Sequence, residues 1–387
     1  MHAASPILFP GGQARFVSGS ELRGNASWRK AFEAQAKDSR FYEVVEQTLA
    51  CSFEHHYLIL ENTVGETRAI QPVFFVQQNL LEGLPALQPV VDPVRRVFPR
   101  LFTMRVLMVG CAAGEGHLGV CRADDMEWAV AAMHSTLPIF ARHGKASLVV
   151  FKDFRSDYRA TLQSLVQEEF TRVPSMPMTR LSLRHANFET YLNTLSKATR
   201  KDLRRKFRRT AKSAPIELEV LNDVAPQVDE IYPLYLQVHE RSALKFECLT
   251  KAYFRELGRR MPDRVRFFLW RQEGKVIAFS LGLVHAGTFY DDYLGLDYRV
   301  ALDLHLYFYT FRDIISWAIA QGLENYCSSP LNYEPKLHLG CELAALDLYV
   351  MHTSPWLNPI FRRAVKLLEP TRHNPVLQRF PNARALQ

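Results

Sequence analysis

Two adjacent carboxylates, Asp291 and Asp292, stand inside an otherwise apolar and aromatic stretch, FYDDYLGL (289–296). Read as a strand, its alternation sends one of them to each face. A carboxylate in a central strand is costly unless it is paired or faces a cleft. One of the two therefore suits a general base or an anchor for an amine, and the sequence does not say which. Nearby arginines partnering both is the alternative. His305 follows at the start of a helical stretch. A helix N-terminus lowers an imidazole pKa and keeps the ring neutral, as a base must be; a merely exposed first-turn histidine fits the same pattern. Tyr290, Tyr293, Tyr307 and Tyr309 supply aromatic walls and a phenol that could act as an acid. There is no G-x-S-x-G, no C-x-x-C and no H-E-x-x-H, so the common hydrolase chemistries find no foothold.

A second feature is electrostatic. Residues 196–213 (SKATRKDLRRKFRRTAKS) hold nine Lys or Arg against one acid, Asp202. That equals the formal charge of the whole chain, +8, so the basic balance belongs to this one segment. Leu195, Thr199, Leu203, Phe207 and Ala211 recur every fourth residue, which predicts a helix with one apolar stripe and a charged remainder. The charge permits nucleic acid or a membrane surface as partner without requiring either. Phe207 is the one ring in the run, thin for a single-strand binder.

The elements that must carry these residues are laid out twice. YLILENTVGETRAIQPVFFV (57–76) and VRFFLWRQEGKVIAFSLGLV (265–284) each read strand, glycine turn, strand, with Gly65 and Gly274 at the turns. Each hairpin leads to a further apolar strand, RVLMVG (105–110) or FYDDYLGL (289–296), then a long amphipathic helix and a short strand. Leu304, Phe308, Phe311, Ile315 and Ala318 share one face of the second helix, with Asp303 as its expected cap and Gly322 as its stop. Pro138 is expected to kink or break the first helix. From Gly65 to Gly144 is 79 residues, against 48 from Gly274 to Gly322, and the proline-rich 79–104 is the insertion.

The expected organisation is α/β, of layered α+β kind, with two tandem units, each a mixed sheet flanked by helices. The first unit covers 21–180 and serves as scaffold; the second covers 181–375 and carries the site. Residues 1–20 are expected to be flexible and 376–387 a tail. Length and composition suit two globular domains. No signal peptide or spanning segment is expected. The six scattered cysteines suit isolated thiols in a reducing cytosol, with no metal site. GEGHLG (114–119) has the letters of a dinucleotide loop, but the helix opens only near Asp124, so a plain glycine loop is the better reading.

Hairpin, central strand, helix, strand is the order of the GNAT acyltransferase core. Two such units with a basic helical stretch between them resemble the Fem-type peptidoglycan aminoacyltransferases and related GNAT-like N-acyltransferases. YLNTLSKATRKDLRRKFRR (191–209), YLGLDY (293–298), LYFYTFRDII (306–315) and LNYEPKLHLG (331–340) carry the resemblance. It covers the second half by these phrases and the first half by architecture alone.

The resemblance implies transfer of an acyl group from acyl-CoA or a carrier-protein thioester to a small-molecule amine, without a metal. Aminoacyl transfer from charged tRNA is the alternative, and a non-catalytic binder of nucleic acid or an anionic surface is a third reading. The implied partners are an acyl carrier protein or tRNA, with peripheral membrane contact through 196–213 as a further expectation. The pyrophosphate loop would fall on Tyr298, Arg299, Val300 and Ala301; it has no glycine, a departure that puts acyl-CoA binding there in doubt. Glu240 and Glu247 would reach the site from the covering loop. Asn332, Tyr333 and Lys336 belong to the family-like close, with Lys336 neutralising an anionic substrate or cofactor phosphate. Arg204 and Arg205 lie where an anionic donor or acceptor would pass.

Overall fold

The computed structural model describes residues 5–79, 103–242 and 244–387. Two compact units emerge, Met1–Met176 with Ala345–Pro375 and Leu386–Gln387, and Pro177–Ala344 with Val376–Ala385.

In the first unit a hairpin of β1 (Ile7–Phe9) and β2 (Gly12–Val17) leads through helices 19–22, 26–32 and 39–49 to β3 (Glu54–Asn62) and β4 (Thr67–Asn79). After β5 (Thr103–Val109) come the helix Met126–His143, β6 (Leu148–Arg155) and the helix Gln163–Glu168. The strands lie in the order β1-β2-β3-β4-β5-β6, with β5 and β6 parallel and the other pairs antiparallel. A last antiparallel strand beside β6 comes from residues 346–352 of β13 (Glu342–His352).

The second unit repeats this order. After helices Phe188–Thr194 and Lys197–Thr210 come β8 (Ile216–Leu221), helices Val228–Arg241 and Lys251–Arg260, then β9 (Val265–Gln272), β10 (Lys275–His285) and β11 (Thr288–Leu296). The helix Leu306–Ala320, β12 (Asn325–Ser328) and the helix Tyr333–His338 follow. The strand order is β12-β11-β10-β9-β8, with β11 and β12 parallel. Residues 179–182 of β7 (Thr171–Ser182) pair with β12. Thus the first unit takes a strand from far along the sequence, and residues 345–375 belong to the first unit rather than the second.

Each unit has its own core. In the second, Phe311, Ile314, Ile315 and Ala318 of the long helix pack with Phe268, Trp270 and Phe289. Each large side chain so buried contributes about 1.5–3 kcal/mol. Gly322, at φ 71, ends this helix as expected: Leu323 N–H bonds to Ala318 O and Gly322 N–H to Ile319 O, the Schellman arrangement.

The basic segment is a helix, capped by Ser196 Oγ accepting from Thr199 N–H. Leu203 is 2% exposed, Thr210 is buried and Phe207 half-buried, while Ala211 lies exposed outside the stripe. The apolar face therefore seats the helix. Leu203→Ala is expected to cost about 2–5 kcal/mol in chemical denaturation. Arg204→Gln, at an exposed pair with Glu189, should stay within about 0.5 kcal/mol.

Several expectations are corrected. Residues 7–17 are not flexible but form the edge hairpin β1–β2, with Pro10 and Gly11 between its strands. Residues 376–387 are no loose tail: Leu377, Phe380 and Leu386 are buried, and Asn382 bonds both backbone groups of Leu343. Helix Met126–His143 runs unbroken through Pro138. Asp303 does not cap the long helix; it is 82% exposed, and His305 stands at the cap with φ 48. Of the insertion 79–104, residues 80–102 lie outside the described residues.

Candidate active site

The two neighbouring carboxylates are separated by a bulge. Along β10, Gly282 pairs with Asp291 but Leu281 pairs with Tyr293, leaving Asp292 as an extra residue. A bulge resets alternation, so residues two apart no longer share a face. Phe289, on the Asp291 side, packs against Trp317 of the long helix and Tyr326. Tyr293 lies against Tyr235 and Tyr253 of the opposite helices. By the same alternation Tyr290 points away from Asp291.

The same point is where the sheet opens. β11 and β12 pair from Thr288–Asn325 to Asp291–Ser328, and Ser329 N–H makes a last bond to Asp291 O at 3.1 Å. β11 then continues to Leu296 beside β10 alone. Its backbone past the bulge borders a wedge.

Asp291 sits at the apex of this wedge. Ser280 Oγ donates to its Oδ1 at 2.5 Å and Tyr326 OH to its Oδ2 at 2.7 Å. Burial raises its pKa, opposed in part by those two donors and the charge of Lys336. Lys336, 5% exposed, donates from Nζ to Ser329 O at 2.5 Å. Burial pushes its pKa down to about 8, against the pull of Cys341 and Asp291. Burial also raises the phenols of Tyr307 and Tyr326, with the Asn332 side chain beside Tyr307 opposing the rise. Leu331 and Asn332 are consecutive left-handed residues, φ 73 and 52, just before the helix that aims Lys336 inward. Such backbone is disfavoured for both residues and persists only where its surroundings hold it. Tyr333 serves as an anchor, its buried hydroxyl donating to Pro177 O at 2.8 Å.

Across the bulge, Tyr293 OH donates to Glu247 Oε1 at 2.8 Å, with the charge of Asp292 beside it. His239 stacks on Tyr235, and burial followed by the charge of Lys245 lowers its pKa. Glu240 is exposed at the end of its helix and joins neither cluster. Asp291, Asn332 and Lys336 are thus brought together. Asp292 and Glu247 form a second group on the other face.

The four residues expected to cradle a pyrophosphate have no N–H to spare. Tyr298 N–H bonds Gln237 Oε1 and Arg299 N–H bonds Asp297 Oδ1, both at 3.0 Å. Val300 and Ala301 N–H both bond Asp297 O, at 3.1 and 2.8 Å. Arg299 is 83% exposed and clasps Asp297 at 2.6 Å. Positive charge nearby comes instead from the basic helix, whose Thr210 Oγ1 donates to Leu304 O at 2.7 Å. Burial and then Arg209, Lys206 and Arg205 lower the pKa of His305. Arg204 is turned to Glu189 at 2.9 Å and Arg205 to Asp202 at 2.6 Å, both exposed.

The first unit lacks these features. β5 carries no acid, and it stays paired with β6 to its last residue, Val109–Phe151. The GEGHLG loop then fills the corresponding gap: Gly116 bridges to Phe154, and Glu115 pairs with Lys37 at 2.6 Å, both at most 5% exposed. Gly119 is required there by contact, since a Cβ would lie 2.1 Å from Ile70 O. This is a packed loop. Among the described residues, no group of three or more His, Cys, Asp or Glu side chains is placed to hold a metal ion.

Ser280 and Tyr326 were not singled out from sequence. A serine inside the apolar run VIAFSLGLV was the one available sign of the first; a tyrosine in a short strand gives none for the second.

Residues 197–334 match the acetyltransferase (GNAT) domain family. Among solved structures, the chain is similar to the crystal structure of FemX, with 12% identity, 90% of this chain and 98% of that one covered, and a TM-score of 0.54. It is also similar to the C-terminal domain (DUF2156) of a protein described as a lysylphosphatidylglycerol synthetase from Agrobacterium fabrum, with 12% identity, 92% and 96% coverage, and a TM-score of 0.51. No curated protein sequence matches the chain. At such identity the likeness is one of fold, and it spans both units.

Proposed function

For this chain, a tandem of two GNAT-like units, we propose that the second unit is an N-acyltransferase moving an acyl group from a thioester to an amine. The observation that carries the reading is the wedge past Asp291 and Ser328, with Asp291 and Lys336 at its apex. The acyl carbonyl enters the wedge beside Lys336. The amine attacks the carbonyl carbon, the new C–N bond forms, and the oxyanion develops next to the ammonium. Asp291 takes a proton from the attacking nitrogen, favoured by its raised pKa. As the C–S bond breaks, Lys336 gives its proton to the thiolate. A proton passing from Asp291 to Lys336 restores the starting state. The first unit, whose gap is filled by its own loop, acts as scaffold.

A second reading has its own support. With the N–H groups of 298–301 spent, phosphates would be met by the side chains of Arg205, Lys206 and Arg209 instead. That suits a polyanion, and aminoacyl-tRNA would supply an ester to the same wedge.

The purified protein is to be mixed with a panel of acyl-CoA thioesters and amines, and free thiol followed. Thiol release that depends on both donor and amine is expected. If no CoA or carrier thioester binds or releases thiol, the thioester donor is overturned. Transfer from charged tRNA, abolished by ribonuclease, would then identify the ester donor.

A further inference from the structure

The helix Asn358–Val365 of the first unit has apolar residues on both sides. Its inner side is ordinary, with Val365 buried and Phe361 half-buried. Its outer side is not. Leu357, Ile360, Ala364 and Leu367 recur at steps of three and four, which makes one stripe, and all four are exposed. Leu357 is 51% exposed, Ile360 68%, Leu367 69%, and Trp356 just ahead 89%. A solvated helix normally turns polar side chains outward.

The charge that the helix itself carries has one sign. Between Asp347 and Glu369 the chain contains no acid, while Arg362, Arg363 and Lys366 flank the apolar residues. Asp347 is held by Arg159 and Arg172, and Glu369 by Arg372. The neighbouring segment brings Glu168 and Glu169, the former 3.8 Å from His134. Beside the helix lies a recess of about 510 Å³ bordered by Arg172, Arg362, Arg363 and Lys366 over Phe170. Thr171 lines it too, 4% exposed, with a hydroxyl that has no hydrogen-bond partner among the described residues.

We propose that this face of the first unit docks on an anionic phospholipid membrane. Trp356, Leu357, Ile360 and Leu367 enter the boundary between headgroups and acyl chains, and the cationic recess takes a lipid phosphate. An interfacial helix pairs these two elements, an apolar face about 5–10 Å deep and a cationic rim. The inference stands apart from the transfer reaction. It also moves membrane contact from 196–213, where no comparable row of apolar side chains is exposed, to 354–368.

The test is co-sedimentation of the full chain with vesicles of phosphatidylcholine, alone or mixed with phosphatidylglycerol, together with tryptophan emission. Binding to the mixed vesicles with a blue shift is expected, the shift being lost in Trp356→Phe. The triple change Arg362→Gln, Arg363→Gln, Lys366→Gln should weaken binding by about 100-fold, roughly fivefold per cation. Ile360→Ser should weaken it by about 10-fold or more. All these side chains except Arg362 are exposed, and melting curves confirm that the variants fold. Absence of binding to the mixed vesicles overturns the proposal, as does equal binding by the variants. So does inorganic phosphate occupying the recess while vesicles do not bind. Self-association of the wild type that Ile360→Ser abolishes would assign the face to a second copy instead.

Discussion

Lys336→Met is expected to lower kcat for acyl transfer by about 10²–10³ while leaving the fold intact. The residue is 5% exposed and points its ammonium to the apex of the wedge, on Ser329 O and near Asp291. Its folded pKa, about 8, lies below the ordinary lysine value of 10.5. The folded state therefore resists the proton, and holding it below pH 8 costs about 3 kcal/mol. That cost fades as pH rises from about 8 toward 10.5. Removing the charge should thus leave the variant at least as stable as the wild type at pH 7, with the gain disappearing by pH 10 in thermal melts. Activity runs the other way. A protonated Lys336 is needed, so wild-type kcat should fall as pH rises through about 8. A Lys336→Met enzyme within about threefold of wild type would remove this side chain from the machinery.

Asp291→Asn should cost about 10²–10⁴ in kcat and abolish the acid limb of the pH profile. Burial raises the carboxyl pKa, so the wild-type limb should lie above the usual carboxylate range, with activity rising as the group ionises. For stability the sign is opposite. A carboxyl whose folded pKa is raised binds its proton more tightly when folded, and stability is lost as pH climbs through that value. The amide is neutral, and Ser280 and Tyr326 can still bond to it, so the variant should melt no lower than wild type at pH 7. An unchanged pH profile would shift the base to the other side of the bulge. Asp292→Asn and Glu247→Gln would then show the loss instead.

The repeated order of elements could be read in the sequence because glycine turns and 3.6-residue periodicity are local signals. Gly65 and Gly274 turn the hairpins, and Gly322 stops the long helix. The inward stripe of the basic helix was legible for the same reason, since Leu203 and Phe207 need only their own spacing. The site was legible as a set of residue types but not as a geometry. One inserted residue, Asp292, decides which carboxylate meets Lys336, and a bulge leaves no mark on an alternating pattern read from one strand. The spent N–H groups of 298–301 depend on Asp297 and Gln237, the latter distant in sequence. Composition misled at the ends: Pro10 and Gly11 belong to a tight turn between strands rather than to a loose segment.

The strands that close each unit carry a consequence for how the protein is made. Residues 345–352 leave the ribosome roughly 10–35 s after residue 176, at about 5–20 residues per second. Until then the first unit lacks the strand beside β6, and the free edge of that strand is exposed to wrong pairing. Strand β12 of the second unit meets no such wait, because the 179–182 segment that pairs with it is already synthesised when β12 appears, although residues 376–385 of that unit come last. The edge at β12 is thus covered as soon as that strand appears, whereas the sheet of the half earliest in the sequence is sealed only late in synthesis.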